Sequence, residues 1–413
     1  MGKIAFGTYR LSIDDPEHYE VLKLALEKGC HLIDTASNYM DGKSEELIGK
    51  VLKENPQYAP TIVTKGGFFG PQDKEEIEKS YGEDPDIFQI KKDFFYSLSE
   101  KALEYQITKS LNKLNTNSLD VFLIHNPETY FLKESVNEET ICKKISEAMN
   151  FLETMVAANK IKFYGISSNT FSLPPGHSKF LDLEKIIKNV SKTRSKNHFK
   201  WIEFPLNLME RSPLEQFDGH ESLIEKAKKH GLLTLTNRPL NAYQAGHTIR
   251  LATYEKFSKP INYDESQKKL EECINWMKET TLKSHDEIPQ ETFWIFTNLR
   301  AHWVNLHSVD QVENIFRKTI KPFIQNFGDE KQSNDIPKEF QELYNLGLGQ
   351  ARQYMTKQAN IFRTEAVNKG ILPNKPEKDL VVLACETYSK WDVDYIALGM
   401  KRVHYVDQLC HFF

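Results

Sequence analysis

The 413-residue sequence has few cysteines, no long apolar run and no excess of charge of either sign. Its five cysteines form no CxxC pair, and such a sparse, odd set is typical of reduced thiols, not of a disulfide framework or a metal site. No apolar run approaches the ~20 residues that span a bilayer. Lys and Arg total 54 against 58 Asp and Glu, so the net charge of −4 predicts no nucleic-acid or membrane partner. The first residues lack the apolar stretch of a signal peptide, and we expect a cytoplasmic protein.

What the sequence does contain is a repeated pattern of short apolar runs that alternate with amphipathic stretches. Strands that are apolar on both faces and alternate with helices are typical of a parallel sheet covered by helices. Eight such units favour a closed (β/α)8, or TIM, barrel over an open sheet. The eight candidate strands are 4–7, 31–34, 61–65, 119–125, 162–167, 201–206, 232–237 and 394–399.

One interval, between the seventh and eighth strands, is far longer than a single helix needs. We predict one barrel domain over 1–413, in which 241–345 is a large helical insertion between strand 7 and the last helix and strand. Because insertions that follow barrel strands lie on the active-site face, we expect this one to cover the mouth, with a peripheral decoration as the alternative. Its helical patterns lie at 267–278 and 311–324, and an aromatic-rich stretch that we expect to be buried lies at 291–303.

Ionisable residues end three consecutive candidate strands. Asp34 ends the second strand, Tyr39 follows in its loop, Lys65 ends the third and His125 ends the fourth. Each has an ordinary structural explanation: a helix cap, a surface tyrosine, a solvated lysine and a core histidine. Together they suit carbonyl reduction, which needs an acid at the oxygen while a cofactor delivers hydride to the carbon. We expect the lysine ammonium to lower the pKa of the tyrosine from its usual ~10.

Seven segments of the sequence resemble the aldo-keto reductase superfamily. The resemblance implies the TIM-barrel fold and a catalytic tetrad made of Asp34, Tyr39, Lys65 and His125, with Tyr39 as general acid. The segments, in family order, are FGTYRL at 6–11, GCHLIDTASNYMDGKSEELIGKVLKE at 29–54, VTKGG at 63–67, LDVFLIHNP at 119–127, KFYGISSN at 162–169, FPLNLME at 204–210 and DYIALGMKRVHYVDQ at 394–408.

The resemblance also implies NADP(H), which the family binds across the barrel mouth without a Rossmann domain. The nicotinamide end would meet Gly7, Thr8 and Tyr9, and Lys401 with Arg402 would hold the 2′-phosphate. The remaining cofactor-binding positions that the resemblance implies are Asp34, Ser168, Asn169, Glu203, Asn237, Arg238, Pro239, Leu240, Asn241, Gly399, Met400, Tyr405 and Gln408.

Two of these positions depart from the family pattern. Glu203 stands where family members usually have Gln, which adds a charge near the nicotinamide. Asn237 stands where an aromatic residue usually stacks on the nicotinamide, in a string that here reads Asn237-Arg238-Pro239-Leu240. Arg238 could instead meet the cofactor pyrophosphate, since a guanidinium suits that dianion.

The sequence therefore predicts an NADP(H)-dependent oxidoreductase that reduces an aldehyde or ketone, or oxidises the alcohol. An alternative is a weakly catalytic, cofactor-binding module that resembles the potassium channel beta subunits, which share the fold. A glycosidase with paired carboxylates is weaker, because it leaves the Tyr and Lys unexplained. The identity of the carbonyl or alcohol substrate and the oligomeric state stay open at this stage.

Overall fold

The computed structural model describes residues 3–133, 136–193, 197–244, 247–253, 261–327 and 336–413. Eight parallel strands form a closed barrel in which they follow one another in chain order and the first pairs with the last. This confirms the predicted (β/α)8 architecture, with each strand within two residues of its predicted bounds. The strands are β1 (Lys3–Gly7), β2 (Leu32–Asp34), β3 (Thr61–Gly66), β4 (Leu119–His125), β5 (Ile161–Ser167), β6 (Phe199–Pro205), β7 (Leu233–Asn237) and β8 (Tyr395–Gly399).

Buried apolar side chains fill the barrel interior as one layer. Seven of the eight strands contribute to it, and β5 contributes Gly165 instead. A Cβ at Gly165 would lie 2.1 Å from the carbonyl oxygen of Trp201 and 2.7 Å from Leu123, so only glycine fits there. The layer consists of Ala5, Leu32, Val63, Val121, Leu123, Trp201, Leu235 and Ala397.

The helices around the barrel begin and end where the sequence provides caps. The first starts after Asp15, whose side chain accepts from the backbone N–H of Glu17, and it ends just before Gly29, which has a φ of 96°. The helices of the barrel are α1 (Pro16–Glu27), α2 (Lys43–Glu54), α3 (Pro71–Tyr81), α4 (Glu100–Lys113), α5 (Glu138–Ala157), α6 (Leu183–Thr193) and α7 (Leu223–Lys229).

The long connection after β3 folds into a small sheet of its own. Three antiparallel strands, Phe68–Phe69, Phe88–Lys91 and Phe94–Tyr96, flank α3, with Phe94–Tyr96 in the centre. Their aromatic side chains pack on one another, and the rings of Phe68 and Phe94 stack with centroids 5.3 Å apart.

The chain divides into two compact units, Met1–Ala242 with Val382–Phe413, and Tyr243–Val381. The predicted helical patterns at 267–278 and 311–324 lie in the second unit, where a π-helical turn at Phe316–Ile320 interrupts the latter. The short strands Asn241–Gln244 and His247–Arg250 form a two-stranded sheet. The remaining helices are α8 (Tyr263–Leu282), α9 (Gln290–Trp303), α10 (Val309–Ile315), α11 (Lys321–Phe327), α12 (Lys338–Asn368), α13 (Leu380–Tyr388) and α14 (Val403–Leu409).

The second unit has its own apolar core, built around a fully buried tryptophan. Nε1 of Trp303 donates to Oγ of Ser266 at 2.9 Å, and the Trp303 carbonyl accepts from Nε2 of Gln350 at 3.2 Å. The aromatic stretch at 291–303 is only partly buried, because Phe293 and Trp294 are 59% and 57% exposed on the outer face of α9. That the insertion covers the active-site face stays a prediction.

Candidate active site

The ends of the eight strands form a ring of residues directly above the interior layer. Side chains alternate along a strand, so a residue two positions after an interior residue also points into the barrel. Asp34, Lys65 and His125 are each two positions beyond an interior residue of their own strands. The same spacing adds Gly7, Ser167, Glu203, Asn237 and Gly399, so the ring takes one residue from each strand.

Tyr39 reaches this ring from a 3-10 turn, Tyr39–Gly42, that follows β2. The next two residues, Met40 and Asp41, have φ values of 50° and 58°, a left-handed conformation that costs energy for side chains of this kind. The hydroxyl of Tyr39 lies 3.4 Å from Nζ of Lys65. Its ring meets that of His125 edge-on, with centroids 6.1 Å apart. The structure thus brings together all four residues predicted to be catalytic.

Lys65 is fully buried between two carboxylates. Nζ donates to Oδ1 of Asp34 and, at 2.9 Å, to the carbonyl oxygen of Thr35. On its other side Oε2 of Glu203 lies 3.2 Å from Nζ. The ion pair with Asp34 joins two residues of the predicted catalytic tetrad. The ion pair with Glu203 does not follow from that prediction, because Glu203 was assigned to the cofactor alone.

Burial and charge shift the acid–base behaviour of this cluster. Burial by itself lowers the pKa of Lys65, but the charges of Asp34 and Glu203 outweigh it and raise that pKa, so Lys65 is a cation. Burial raises the pKa of Asp34 to about 7, with Lys65 opposing the shift and Glu203 adding to it. The pKa of the Asp34 carboxyl group therefore lies well above its usual range, even beside the ammonium of Lys65.

Tyr39 and His125 are both shifted toward their neutral forms. Burial raises the pKa of Tyr39; the ammonium of Lys65 acts in the opposite direction, as expected, but does not overcome burial. The net shift is therefore upward, contrary to the sequence-based expectation. Burial, with the charge of Lys65, holds the pKa of His125 well below its usual range. Near neutral pH the site thus presents a protonated phenol and an uncharged imidazole.

An aromatic wall borders this site. Phe68, from the small sheet after β3, meets the ring of His125 edge-on at a centroid distance of 5.0 Å. The hydroxyl of Tyr96 donates to the carbonyl oxygen of His125 at 2.9 Å. Neither residue was predicted to belong to the site. The cluster of aromatic residues at 94–96 was the available signal, but the sequence does not show which way that segment folds.

Glu203 and Asn237 are bonded to each other. Nδ2 of Asn237 donates to Oε1 of Glu203 at 2.8 Å. Oδ1 of Asn237, Oε2 of Glu203 and Nδ1 of His125 are among the buried atoms of the described residues that have no hydrogen-bond partner. Gly7 and Gly399 pair across β1 and β8, so the ring carries no side chain there. The site thus offers an open space at Gly7 and Gly399 and, in Oδ1 of Asn237, an amide oxygen that accepts no hydrogen bond.

The predicted cofactor-binding residues Ser168 and Asn169 are already bonded to Glu128. Oγ of Ser168 donates to Oε2 of Glu128 at 2.8 Å, and the backbone N–H of Asn169 donates to Oε1 at 2.9 Å. Burial raises the pKa of Glu128 to about 7. Sequence reasoning missed Glu128, although its place three residues after His125 put it in the loop that leaves the ring.

The segment after β7 is also held by protein groups. Nη2 of Arg238, a residue with a φ of 55°, donates to Oε1 of Glu210 at 2.8 Å. The carbonyl oxygen of Pro239 accepts from the hydroxyl of Tyr388 at 2.6 Å. Leu240 is buried and Asn241 is half-buried. Arg238 therefore has an anionic partner before any pyrophosphate binds.

The predicted 2′-phosphate ligands follow β8. Nη1 of Arg402, which is about two fifths exposed, donates to Oε2 of Glu17 at 3.0 Å. Oδ2 of Asp15 lies 3.7 Å from the same nitrogen. Lys401 is half-buried beside Arg402. Met400 before them is buried, and Tyr405 and Gln408 are half-buried on α14.

The first strand supplies the remaining predicted positions. Thr8 is buried, and its Oγ1 donates to the carbonyl oxygen of Asp34 at 3.0 Å, which fixes the end of β1 against β2. Tyr9 is 64% exposed, and its ring meets that of Tyr39 edge-on at 5.1 Å.

Within the described ranges no group of three or more His, Cys, Asp or Glu is arranged to hold a metal ion. No helix among those same residues is both long and apolar enough to cross a membrane.

The structure is thus a closed parallel barrel with aspartate, lysine and histidine at the C-terminal ends of three strands and tyrosine in the turn after β2. The sequence model of the Aldo/keto reductase family matches residues 2–242, which is more than half of the chain. This protein therefore belongs to the aldo/keto reductase family.

Individual relatives are similar over part of their length. The chain is 32% identical to the aldo-keto reductase AFTS1 of Alternaria alternata over 162 residues, which is 38% of this chain and 41% of that protein. It is 24% identical to the aldo-keto reductase YhdN of Bacillus subtilis over 239 residues, 56% of each chain. The matched segment thus spans about half the length of these curated relatives, or less.

Solved structures show looser similarity. A glycerol dehydrogenase of Gluconobacter oxydans is 17% identical with a TM-score of 0.48, over 99% of this chain and 86% of that chain. An aldo/keto reductase of Klebsiella pneumoniae, solved in complex with NADP and acetate, is 20% identical with a TM-score of 0.39, over 58% of this chain and 64% of that chain.

Proposed function

We propose that this protein is an NADP(H)-dependent oxidoreductase that reduces an aldehyde or ketone, or oxidises the corresponding alcohol. The observation that carries the proposal is the arrangement around Lys65. Its ammonium lies 3.4 Å from the hydroxyl of Tyr39, is anchored by Asp34, and faces a site that also holds the ring of His125. These groups supply what carbonyl reduction needs from a protein.

In this mechanism Tyr39 donates its proton to the carbonyl oxygen as the carbon is reduced. Burial keeps the phenol protonated in the resting enzyme, and the ammonium of Lys65 stabilises the phenolate that remains after the transfer. His125 is uncharged, so its imidazole can donate an N–H to the same oxygen and orient the substrate. In alcohol oxidation this one proton moves in the opposite direction, from the alcohol hydroxyl to the Tyr39 phenolate, while the hydride leaves the carbon for the oxidised cofactor.

The residues present fit the cofactor. NADP(H) supplies or accepts the hydride when bound. The gap at Gly7 and Gly399 leaves room beside Asp34, and the unused Oδ1 of Asn237 can accept a hydrogen bond from a carboxamide N–H. The cofactor would be held by the side chains of Ser168, Asn169, Asn237, Arg238, Lys401 and Arg402, and the adenine by Tyr405 and Gln408.

The direct test removes the proposed acid and nothing else. Tyr39→Phe should cut turnover of a carbonyl substrate by roughly 10²-fold or more, the usual scale for a general acid, while NADPH affinity stays within a factor of about two. The measurements are NADPH oxidation on a panel of aldehydes and ketones and a cofactor fluorescence titration. Tyr19→Phe, on the outer surface of α1, is the matched control. If Tyr39→Phe turns over like the wild type, Tyr39 is not the proton donor.

One observation favours a second candidate, a cofactor-binding module with weak catalysis. Lys65 is shared by two carboxylates, and its contact with Tyr39 is the longest of its polar contacts. A lysine engaged in this way stabilises the phenolate less. Tight NADPH binding without turnover across the carbonyl panel would support the module and contradict the enzyme.

A further inference from the structure

Glu203 occupies a position from which it can act on the chemistry of the tetrad. Its side chain is almost completely buried, with Oε2 3.2 Å from Nζ of Lys65 and Oε1 accepting from Nδ2 of Asn237 at 2.8 Å. Oε1 is thus held by a hydrogen bond, whereas Oε2 has the ion pair with Lys65 and no hydrogen-bond partner. Glu203 is thus oriented toward Lys65 by Asn237 of the neighbouring strand β7, and it does not face solvent.

The charges around Lys65 do not balance. One ammonium faces two carboxylates, Asp34 and Glu203, and all three groups are buried together. The other titratable groups that face this cluster are Tyr39 and His125, and the imidazole is uncharged near neutral pH. Above the pKa of Asp34, when both carboxylates are ionised, the cluster has one excess negative charge beside the Tyr39 hydroxyl, where low polarity strengthens its effect.

We propose that Glu203 is a positioning residue that acts through Lys65, holding Tyr39 in its protonated form and thereby biasing the site toward carbonyl reduction. Forming phenolate would add a second negative charge to a cluster that already has one in excess. A glutamine at this position would keep the shape and the bond to Asn237 but not the charge. This inference rests on the proposed function and adds to it a preferred direction of reaction, carbonyl reduction.

The bias has a definite kinetic form. Reduction begins with protonated Tyr39, which Glu203 favours, whereas alcohol oxidation begins with phenolate, which Glu203 disfavours. The equilibrium between free substrates and products is unchanged. What changes is the ratio of turnover in the two directions at a fixed pH, and the pH at which oxidation becomes fast.

The kinetic test compares Glu203→Gln with the wild type in both directions from pH 6 to 10. We expect the pH profile of turnover in alcohol oxidation to move about one unit toward lower pH. At pH 8 the ratio of turnover in oxidation to turnover in reduction should rise about tenfold. Glu45→Gln is the control, because Glu45 is also buried but bonds to Thr64 and not to Lys65. Identical profiles for Glu203→Gln and the wild type would overturn the proposal.

A second readout needs no turnover. The carboxyl carbon of Asp34, followed by NMR in selectively labelled protein and assigned with Asp34→Asn, should titrate near neutral pH in the wild type. In Glu203→Gln its midpoint should fall by about one unit, and in Glu45→Gln it should not move. An unchanged midpoint would contradict the coupling. A wild type that reduces and oxidises nothing would refute the proposed function, while this titration would still decide the coupling.

Discussion

The two halves of the active-site ring differ in the contacts that their polar side chains make. On the half formed by β2, β3 and β4, Asp34, Lys65 and His125 converge with Tyr39, as the sequence predicts. On the half formed by β5 to β8, several of the residues assigned to the cofactor are already bonded to protein carboxylates, as in the contact of Ser168 with Glu128 and of Arg402 with Glu17. The four proposed catalytic residues thus already lie together, whereas the residues proposed to bind the cofactor would have to exchange partners to do so.

The difference has an energetic consequence. A ligand group that replaces a protein carboxylate gains only the difference between two charge-assisted hydrogen bonds, each worth ~1.5–3 kcal/mol. The catalytic half gives up no such contact, so its effects on turnover should be large. The cofactor half should show smaller effects that depend on the competing carboxylate.

The largest effect should follow from Lys65→Met. It leaves Asp34 and Glu203 buried together without a cation, which should destabilise the fold by about 3–5 kcal/mol and reduce turnover by roughly 10²-fold or more. Urea unfolding should show a smaller loss at pH 5, where the carboxyl groups are more readily protonated. Lys162→Met, which breaks an exposed ion pair with Asp120, should cost less than about 1 kcal/mol. Equal losses for the two variants would contradict the central role of Lys65.

The alternation of side chains explains why the catalytic half could be predicted. Strands that are apolar on both faces are visible in the sequence, and a residue that ends one of them must face the shared cavity, so Asp34, Lys65 and His125 follow directly. Ser167, in the same ring, could have been found by the same counting.

The partners of the cofactor half could not be predicted in this way. Arg402 and Glu17 are 385 residues apart in the sequence, and their contact arises only because β8 closes the barrel beside β1. The contact of Glu203 with Lys65 crosses the barrel interior in the same manner. The second unit shows the same limit, because periodicity indicated helices at 267–278 and 311–324, but it indicated neither α12 nor the exposed side of α9.

A smaller effect should appear in cofactor preference. Lys401 and Arg402 are adjacent cations after β8, and we expect NADPH to bind at least about tenfold more tightly than NADH. Arg402→Gln should remove most of that preference. Glu17→Gln should preserve or increase it, because the phosphate then has no competing carboxylate. Equal affinities for NADPH and NADH in a wild-type fluorescence titration would refute the assignment.

The smallest effect should come from Glu128, and its sign follows from its pKa. The folded-state pKa of about 7 lies above the ~4.3 of an unfolded glutamate, so its contribution to stability is complete below pH ~4.3 and is lost as the pH rises through 7. Glu128→Gln should therefore lose less stability than the wild type between pH 5 and 8, by on the order of 1 kcal/mol. Asp34 titrates alike in both proteins and cancels. Ser168→Ala should act in the opposite direction, because its hydroxyl bonds to the carboxylate and lowers that pKa. Urea unfolding at the two pH values measures both, and a pH dependence that neither variant alters would show that Glu128 does not titrate in this range.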